Sequence, residues 1–521
     1  MKPLSGLDAT FLYLETPETP MHVGSLHLYE LPAGHRGDFF AQAKRHVASR
    51  LDAAVVFRRR IASLPLEIAS PMWIEEDKVD LDYHVQRVRL PSPGTLTQLE
   101  DCVAKLHGKL MDRRRPLWVF YVIEGLQSGQ VAWYSKVHHA VLDGAAGLQL
   151  VQALLDVTPE PRKVVRPKRL RRHEAPAVGE LVGAAFRNTV AQYVKLARHL
   201  PDVARVLGGM LGPARGPRGN MRAQLAQSIG FGPRTPINVA ITAERGLATA
   251  SIPLAEVKAI AARFDAKVND IVLALASGAL RRYLARHGGV PKRPLLAAVP
   301  VSLRQPGNTE YTTQATMVLA NLATHLADPL ARLEAIRTSA GAVKALTASA
   351  RSVIPTDFPS LGAPWVLSAA AQLYGRAQRV ESFPPLANVV ISNIPGPQTP
   401  FYLAGARMLT YWPLSIVEHG LGLNITLESY CGSLDFGLIA ARKAVPDVRS
   451  IARGLLAAHE ELKALALDER STRAKAGGSQ RIARKAAKRP SSAAGATAAR
   501  GHKATRGARS SRSRIREKPA D

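Results

Sequence analysis

The stretch Val131–Leu150, VAWYSKVHHAVLDGAAGLQL, changes its periodicity partway along. Its first half alternates as a half-buried strand does. Val131, Trp133, Ser135, Val137 and His139 fall on one side, and Ala132, Tyr134, Lys136 and His138 on the other. Asp143-Gly144 is a turn signal, and Ala145–Asp156 continues with apolar residues at helical spacing. Two adjacent histidines thus sit at a strand end, facing opposite ways, just ahead of an acid and a glycine. A strand end feeding a tight turn can hold a base rigidly at a cleft. His139 suits proton abstraction, because a neutral imidazole is a competent base near neutral pH. Asp143 fits a loop clamp paired with an arginine, and Gly144 a backbone that a Cβ would hinder. Three plainer readings compete. A bare histidine pair is most often a satisfied core or surface pair. A shared metal ion is disfavoured, since adjacent strand residues point apart. Asp143-Gly144 also reads as a turn and nothing more.

His138, His139, Asp143 and Gly144 form HHxxxDG, which resembles the motif of the CoA-dependent acyltransferase superfamily. That superfamily includes chloramphenicol acetyltransferase, carnitine acyltransferases and peptide-synthetase condensation domains. Other blocks narrow the resemblance to the bacterial wax ester synthase / diacylglycerol O-acyltransferase family. They are PLSGLDATFLYLETPETPMHVGSL (Pro3–Leu26), Arg115-Pro116-Leu117-Trp118, and Val268-Asn269-Asp270-Ile271-Val272-Leu273. Ser392-Asn393-Ile394-Pro395-Gly396-Pro397 and Gly422-Leu423-Asn424-Ile425-Thr426 complete the set. The blocks keep the family order from about Pro3 to Leu465 and together are far more specific than HHxxxDG. One departure is Glu418-His419-Gly420, which stands where the family has an acidic-Gly pair.

The resemblance implies an α/β fold of two chloramphenicol-acetyltransferase-like lobes. Each lobe would be a mixed sheet with helices, and the histidines would lie at their junction. It also implies roles for residues: His139 as general base, His138 as its support, Asp143 as a structural member and Gly144 as the loop residue. Asn269, Asp270, Pro116, Leu117 and Trp118 are candidate substrate-binding residues. Asn269 is equally a plausible N-cap for a helix Asp270–Arg286. Pro116-Leu117-Trp118 equally reads as packing at a strand start. Asn269 is also the candidate donor to the oxyanion.

At 521 residues the chain is long enough for two sizeable cores. Two cysteines, Cys102 and Cys431, cannot build a disulfide framework and fit a reducing interior. No signal-peptide pattern opens the chain. No apolar run of roughly 18 residues or more reads as a bilayer span. The nearest, Phe358–Gly375, is interrupted by prolines and glycines. The location expected is therefore cytoplasmic, peripheral to membrane or lipid inclusions.

The net charge of +29 is unevenly placed. Val157–Pro236 carries +11 and Asp468–Asp521 carries +12, which leaves +6 for the rest. Four parts follow: a lobe at 1–156, a basic connector at 157–236, a second lobe at 237–467 and a disordered basic tail at 468–521. Within the connector, Val178–Leu200 reads as a basic amphipathic helix. Such a helix either lies on a membrane interface or covers the lobe junction. An anionic membrane or lipid-droplet surface is the favoured partner of the basic segments, and nucleic acid is the rival.

No nucleophile elbow, P-loop or metal-ligand spacing is present in the sequence, so no metal and no cofactor are expected. Acyl-CoA enters as a co-substrate. The expected reaction moves a long-chain acyl group from acyl-CoA to a lipid alcohol. Diacylglycerol would give triacylglycerol, and a long-chain alcohol would give a wax ester. Two alternatives remain: an esterifying or condensation enzyme using a carrier-protein thioester, and a non-catalytic lipid-binding protein of the same fold.

Overall fold

A computed structural model describes residues 2–4, 6–62, 72–141, 146–163, 231–302, 315–350 and 384–486. Asp143, Gly144, Val178–Leu200 and Phe358–Gly375 lie outside the described residues. Sixteen strands are described. The first eight are β1 (Lys2–Pro3), β2 (His22–Glu30), β3 (Arg59–Ile61), β4 (Met72–Glu75), β5 (Val85–Arg89), β6 (Trp118–Glu124), β7 (Val131–His138) and β8 (Arg245–Pro253). The rest are β9 (Leu296–Ser302), β10 (Ala315–Asn321), β11 (Val389–Ile394), β12 (Tyr402–Leu403), β13 (Ala406–Met408), β14 (Trp412–Leu414), β15 (Leu423–Tyr430) and β16 (Ser433–Ala441). The helices are α1 (Gly6–Leu14), α2 (Phe39–Arg50), α3 (Leu81–His84), α4 (Leu96–His107), α5 (Ala146–Leu154), α6 (Leu254–Arg263), α7 (Val268–Arg286), α8 (Pro329–Ala350) and α9 (Val448–Ala486).

Two mixed sheets carry the fold. One has the order β12-β13-β2-β7-β6-β5, with β14 also paired to β2. The other has the order β10-β9-β11-β15-β16-β8. A small sheet, β1-β4-β3, stands apart from both. The expected alternation holds along β7 as far as His138, but both faces are buried where one was expected, and His139 falls beyond the strand. Val131, Trp133 and Val137 enter one core with Trp118, Phe120 and Val122. Ala132 and Tyr134 enter the other, which is shared with α7, β15, β16 and α9. β6 runs antiparallel to β7, with Trp118 opposite Val137.

Residues 1–156 do not complete their own sheet, because β12, β13 and β14 come from the C-terminal half. β14 is the seam. Leu414 pairs with Gly24 of β2, and a Cβ on Gly437 of β16 would stand 1.9 Å from the Pro413 carbonyl oxygen. Asp156 is fixed at the same seam by backbone bonds to Tyr402 and by the Arg50 guanidinium, which donates to its two carboxylate oxygens at 3.0 and 2.9 Å. The lobes expected at 1–156 and 237–467 are thus joined within one compact unit, Met1–Ala466. A second unit is Leu467–Asp521.

Local chemistry accounts for the helix starts and moves one of them. Thr95 and Gln98 form a capping box at α4. Asp38 caps α2 by accepting from the Ala41 N–H. The expected cap Asn269 lies inside α7, whose N-cap is Lys267. The Asp270 carboxylate reaches back to the Lys267 N–H at 2.9 Å, so the helix starts two residues early. The tail also differs from expectation, because α9 runs through to Ala486. Between Asp468 and Ala486 its alanines, arginines and lysines favour a helix, against the cost of Gly477-Gly478. Residues 487–521 lie outside the described part.

Candidate active site

β7 ends at His138, and His139 opens a short 3-10 turn, His139–Val141. The turn separates the two rings. His138 is fully buried, and His139 is half-buried. Three backbone bonds fix this corner. His138 N–H donates to the Leu117 carbonyl at 3.0 Å, and His139 N–H to the Met21 carbonyl at 2.9 Å. Ala140 N–H donates to the His138 Nδ1 at 3.1 Å.

A nitrogen that accepts cannot carry a proton. The His138 ring therefore holds its proton on Nε2, which approaches the Glu15 Oε1 at 3.3 Å on a bent line. Glu15 is a neighbour of the histidine pair that the sequence did not single out. Its side chain is 3 % exposed. Oε1 also accepts from the Met21 N–H at 3.0 Å, and Oε2 takes the Arg113 Nε and Nη2 at 3.0 and 2.8 Å. Burial alone would push the carboxyl up. Contact with the His138 ring, the charge of Arg113 and the Met21 N–H outweigh burial and hold it at about 2. The only sequence signal was an acid inside the family-like N-terminal block, beside Asp8 and Glu18.

The His139 ring stacks on Phe11 of α1, with centroids 3.9 Å apart and planes inclined by 22°. Its Nδ1 is buried and has no hydrogen-bond partner among the described residues. Burial, reinforced by His138, pushes its pKa down to about 4. At neutral pH it is an uncharged imidazole.

Behind the pair, on the same face of the sheet as His138, lies a row of buried polar groups. His22 is the cross-strand partner of His138 and donates from Nε2 to the His107 carbonyl at 2.5 Å. His107 accepts from the Tyr134 hydroxyl at 2.7 Å and donates to the Ser415 carbonyl at 3.1 Å. Lys136 donates to the Leu106 carbonyl at 2.8 Å and to the Lys109 carbonyl, and burial lowers its pKa to about 7. These contacts hold the ends of α4 and β7 together.

The other expected site residues separate. Leu117 and Trp118 are fully buried. Trp118 donates from its indole to the Phe57 carbonyl at 3.1 Å and stacks on His84 at 4.2 Å. Leu117 and Trp118 both pack at a strand start, and the Leu117 carbonyl holds His138. Pro116 lines a polar cleft of about 420 Å³ with Lys78, Asp80, His84, Arg114 and Arg115. Asn393 donates to Asn269 at 3.4 Å, which brings two sequence blocks together. No hydrogen bond, ion pair or ring contact among the described residues joins Asn269 to His139. The Asp270 carboxylate, expected at the substrate, is occupied by helix capping. Glu256, His459 and Glu460 could surround a cation, but Lys463 donates to Glu256 at 2.9 Å and fills that position.

Comparison with known proteins agrees with this geometry. Residues 4–272 match the model of the wax ester synthase/diacylglycerol acyltransferase catalytic domain. Residues 312–463 match the C-terminal domain of the same family. A Mycobacterium tuberculosis chain provisionally named a diacylglycerol O-acyltransferase is 38% identical over 469 residues, covering 88% of this chain and 99% of that one. The solved wax ester synthase/diacylglycerol acyltransferase of Marinobacter aquaeolei superposes with a TM-score of 0.63 at 29% identity, covering 89% of this chain and all of that one. The starter condensation domain of rhizomide synthetase shares the fold at a TM-score of 0.51 and 12% identity, covering 89% of this chain and 94% of that one. The expected two-lobed acyltransferase fold is borne out on these likenesses. The HHxxxDG corner, the seam of two mixed sheets and both matched domains have one common reading: the chain belongs to the wax ester synthase/diacylglycerol acyltransferase family.

Proposed function

We propose that this protein transfers a long-chain acyl group from acyl-CoA to a lipid alcohol, with His139 as general base. The observation that carries the base assignment is the half-buried, uncharged His139 ring, clamped at a strand end with its Nδ1 turned inward. A proton on Nδ1 leaves the Nε2 lone pair for the substrate. Nε2 takes the proton of the acceptor hydroxyl as that oxygen attacks the thioester carbonyl. The tetrahedral intermediate collapses with loss of the CoA thiolate, which receives the proton back. Products are an ester and free CoA. Base catalysis of this kind contributes about 10²–10⁴-fold, and positioning and oxyanion donors supply the remainder. Asn269 remains the candidate donor, and Asp143 and Gly144 remain the candidate loop clamp and loop residue of the motif.

Diacylglycerol and long-chain alcohols are the acceptors proposed, because family relatives carry both activities in their names. The basic connector and tail are proposed to hold the enzyme at an anionic membrane or lipid-inclusion surface, supported by their charges of +11 and +12. Among the described residues no helix is long and apolar enough to cross a membrane.

The test is turnover of labelled palmitoyl-CoA with diacylglycerol, with hexadecanol and with neither, beside a carrier-protein palmitoyl thioester. The expected result is ester formation from the CoA thioester, loss of about 10²-fold or more in His139→Ala, and measurable turnover in His138→Ala. Equal losses in both variants at unchanged melting temperature would overturn the assignment to His139. Preference for the carrier thioester would overturn the donor.

A further inference from the structure

We infer that Glu15 is the positioning residue of the histidine pair: one buried carboxylate fixes the backbone on both sides of His139. This inference rests on His139 being the base. The first route runs through His138. Glu15 Oε1 faces the Nε2 of that ring at 3.3 Å, which keeps the proton there and leaves Nδ1 to accept the Ala140 N–H at 3.1 Å. The peptide that follows His139 is thereby held. The second route runs through Met21. The same Oε1 accepts the Met21 N–H at 3.0 Å, and the Met21 carbonyl accepts the His139 N–H at 2.9 Å. The peptide that precedes the His139 side chain is held as well.

Arg113 sets the carboxylate itself. Its guanidinium grips Oε2 from two nitrogens and donates from Nη2 to the Leu12 carbonyl at 2.7 Å. Leu12 lies in α1 next to Phe11, the ring that stacks on His139. Carboxylate, guanidinium and stacking ring therefore form one unit around the base, built from α1, the loop that follows it and the segment before β6. A general base must be held within a fraction of an ångström of its substrate proton, and a displacement of about 1 Å can cost about 10²-fold in rate. Glu15 touches no reacting atom. Its effect passes through the orientation of His139.

Three variants separate position from charge. Glu15→Gln keeps an oxygen that accepts from Met21 and His138 but loses the charge. Glu15→Asp keeps the charge and withdraws the carboxylate by one methylene. Glu15→Ala removes both. The measurements are melting temperature, and kcat and KM for palmitoyl-CoA and for the alcohol, with kcat scaled to the folded fraction. Expected is a fall in kcat of about 10- to 100-fold in Glu15→Ala with KM changed by less than about threefold. Glu15→Gln should recover kcat to within about fivefold, and Glu15→Asp should recover less. Should Glu15→Ala fail to fold, the order of Gln over Asp carries the test. Wild-type kcat in folded Glu15→Ala, a loss explained entirely by the unfolded fraction, or recovery by Asp and not by Gln would each overturn the inference. His139→Ala is assayed beside them. Activity retained there would overturn the base assignment, whereas a dead His139→Ala beside a fully active Glu15→Ala would overturn only the role of Glu15.

Discussion

His139 needs to be uncharged to take a proton, and its surroundings ensure that well below neutral pH. Burial holds it at about 4, against about 6.5 for a free imidazole. The acid limb of kcat/KM reports the free enzyme, so it should bend near pH 4 to 5 and stay level through 6.5. A profile bending at about 6.5 would mean that the base is solvated, or is another group. The window has a floor, because His27 and His84 are also pushed down to about 4, and His107 to about 3, each chiefly by burial. A histidine that binds protons more weakly folded than unfolded contributes stability at neutral pH. That contribution is lost as pH falls from about 6.5 towards 4. Circular dichroism at each pH therefore has to accompany the rates. At this scale the histidine pair was legible, because HHxxxDG places both rings at a strand end. Glu15 was not, because a buried carboxylate is identified only by the partners that the fold brings to it.

Among elements, long periodic ones were readable and short ones were not. β7 carries eight residues of alternation and stands where the pattern puts it. β12, β13 and β14 have two or three residues each, too few to show any period, yet they join the two halves. The start of α7 was misplaced for a related reason. Asn is a stronger cap than Lys in general, but the cap here is built backwards, by the Asp270 side chain on the Lys267 N–H. The seam makes a sharp prediction. Gly437 faces the Pro413 carbonyl, where an added Cβ would stand 1.9 Å from backbone oxygen. Gly437→Ala should destabilise the protein by about 1–3 kcal/mol through overpacking. Its urea midpoint should drop, and acyl transfer should weaken as β14 shifts against β2. An unchanged midpoint would mean that the seam yields freely and does not fix the lobes.

For the whole molecule, composition located the two strongly basic segments, 157–236 and 468–521. What it could not convey is that the two halves share one core: Tyr134 of β7 and Leu455 of α9 belong to the same cluster. The compact unit ends at Ala466, and α9 delivers Ile451, Leu455, Ala458, Leu462 and Ala466 to that core before it ends. A chain truncated after Ala466 should therefore keep its melting temperature and its turnover on a soluble short-chain alcohol. It loses the tail charge, which is +12 over Asp468–Asp521. Each basic residue near an anionic surface is worth about 1 kcal/mol, screened beyond about 8 Å at physiological ionic strength. Cosedimentation with phosphatidylserine vesicles should fall on truncation, most at low salt, while binding to neutral vesicles stays as it was. The basic connector at 157–236 remains in the truncated protein, so residual binding that resists salt would point to apolar insertion there. If vesicle binding were unchanged and affinity for DNA fell instead, the tail would be a nucleic-acid element, and any membrane attachment would depend on the connector alone.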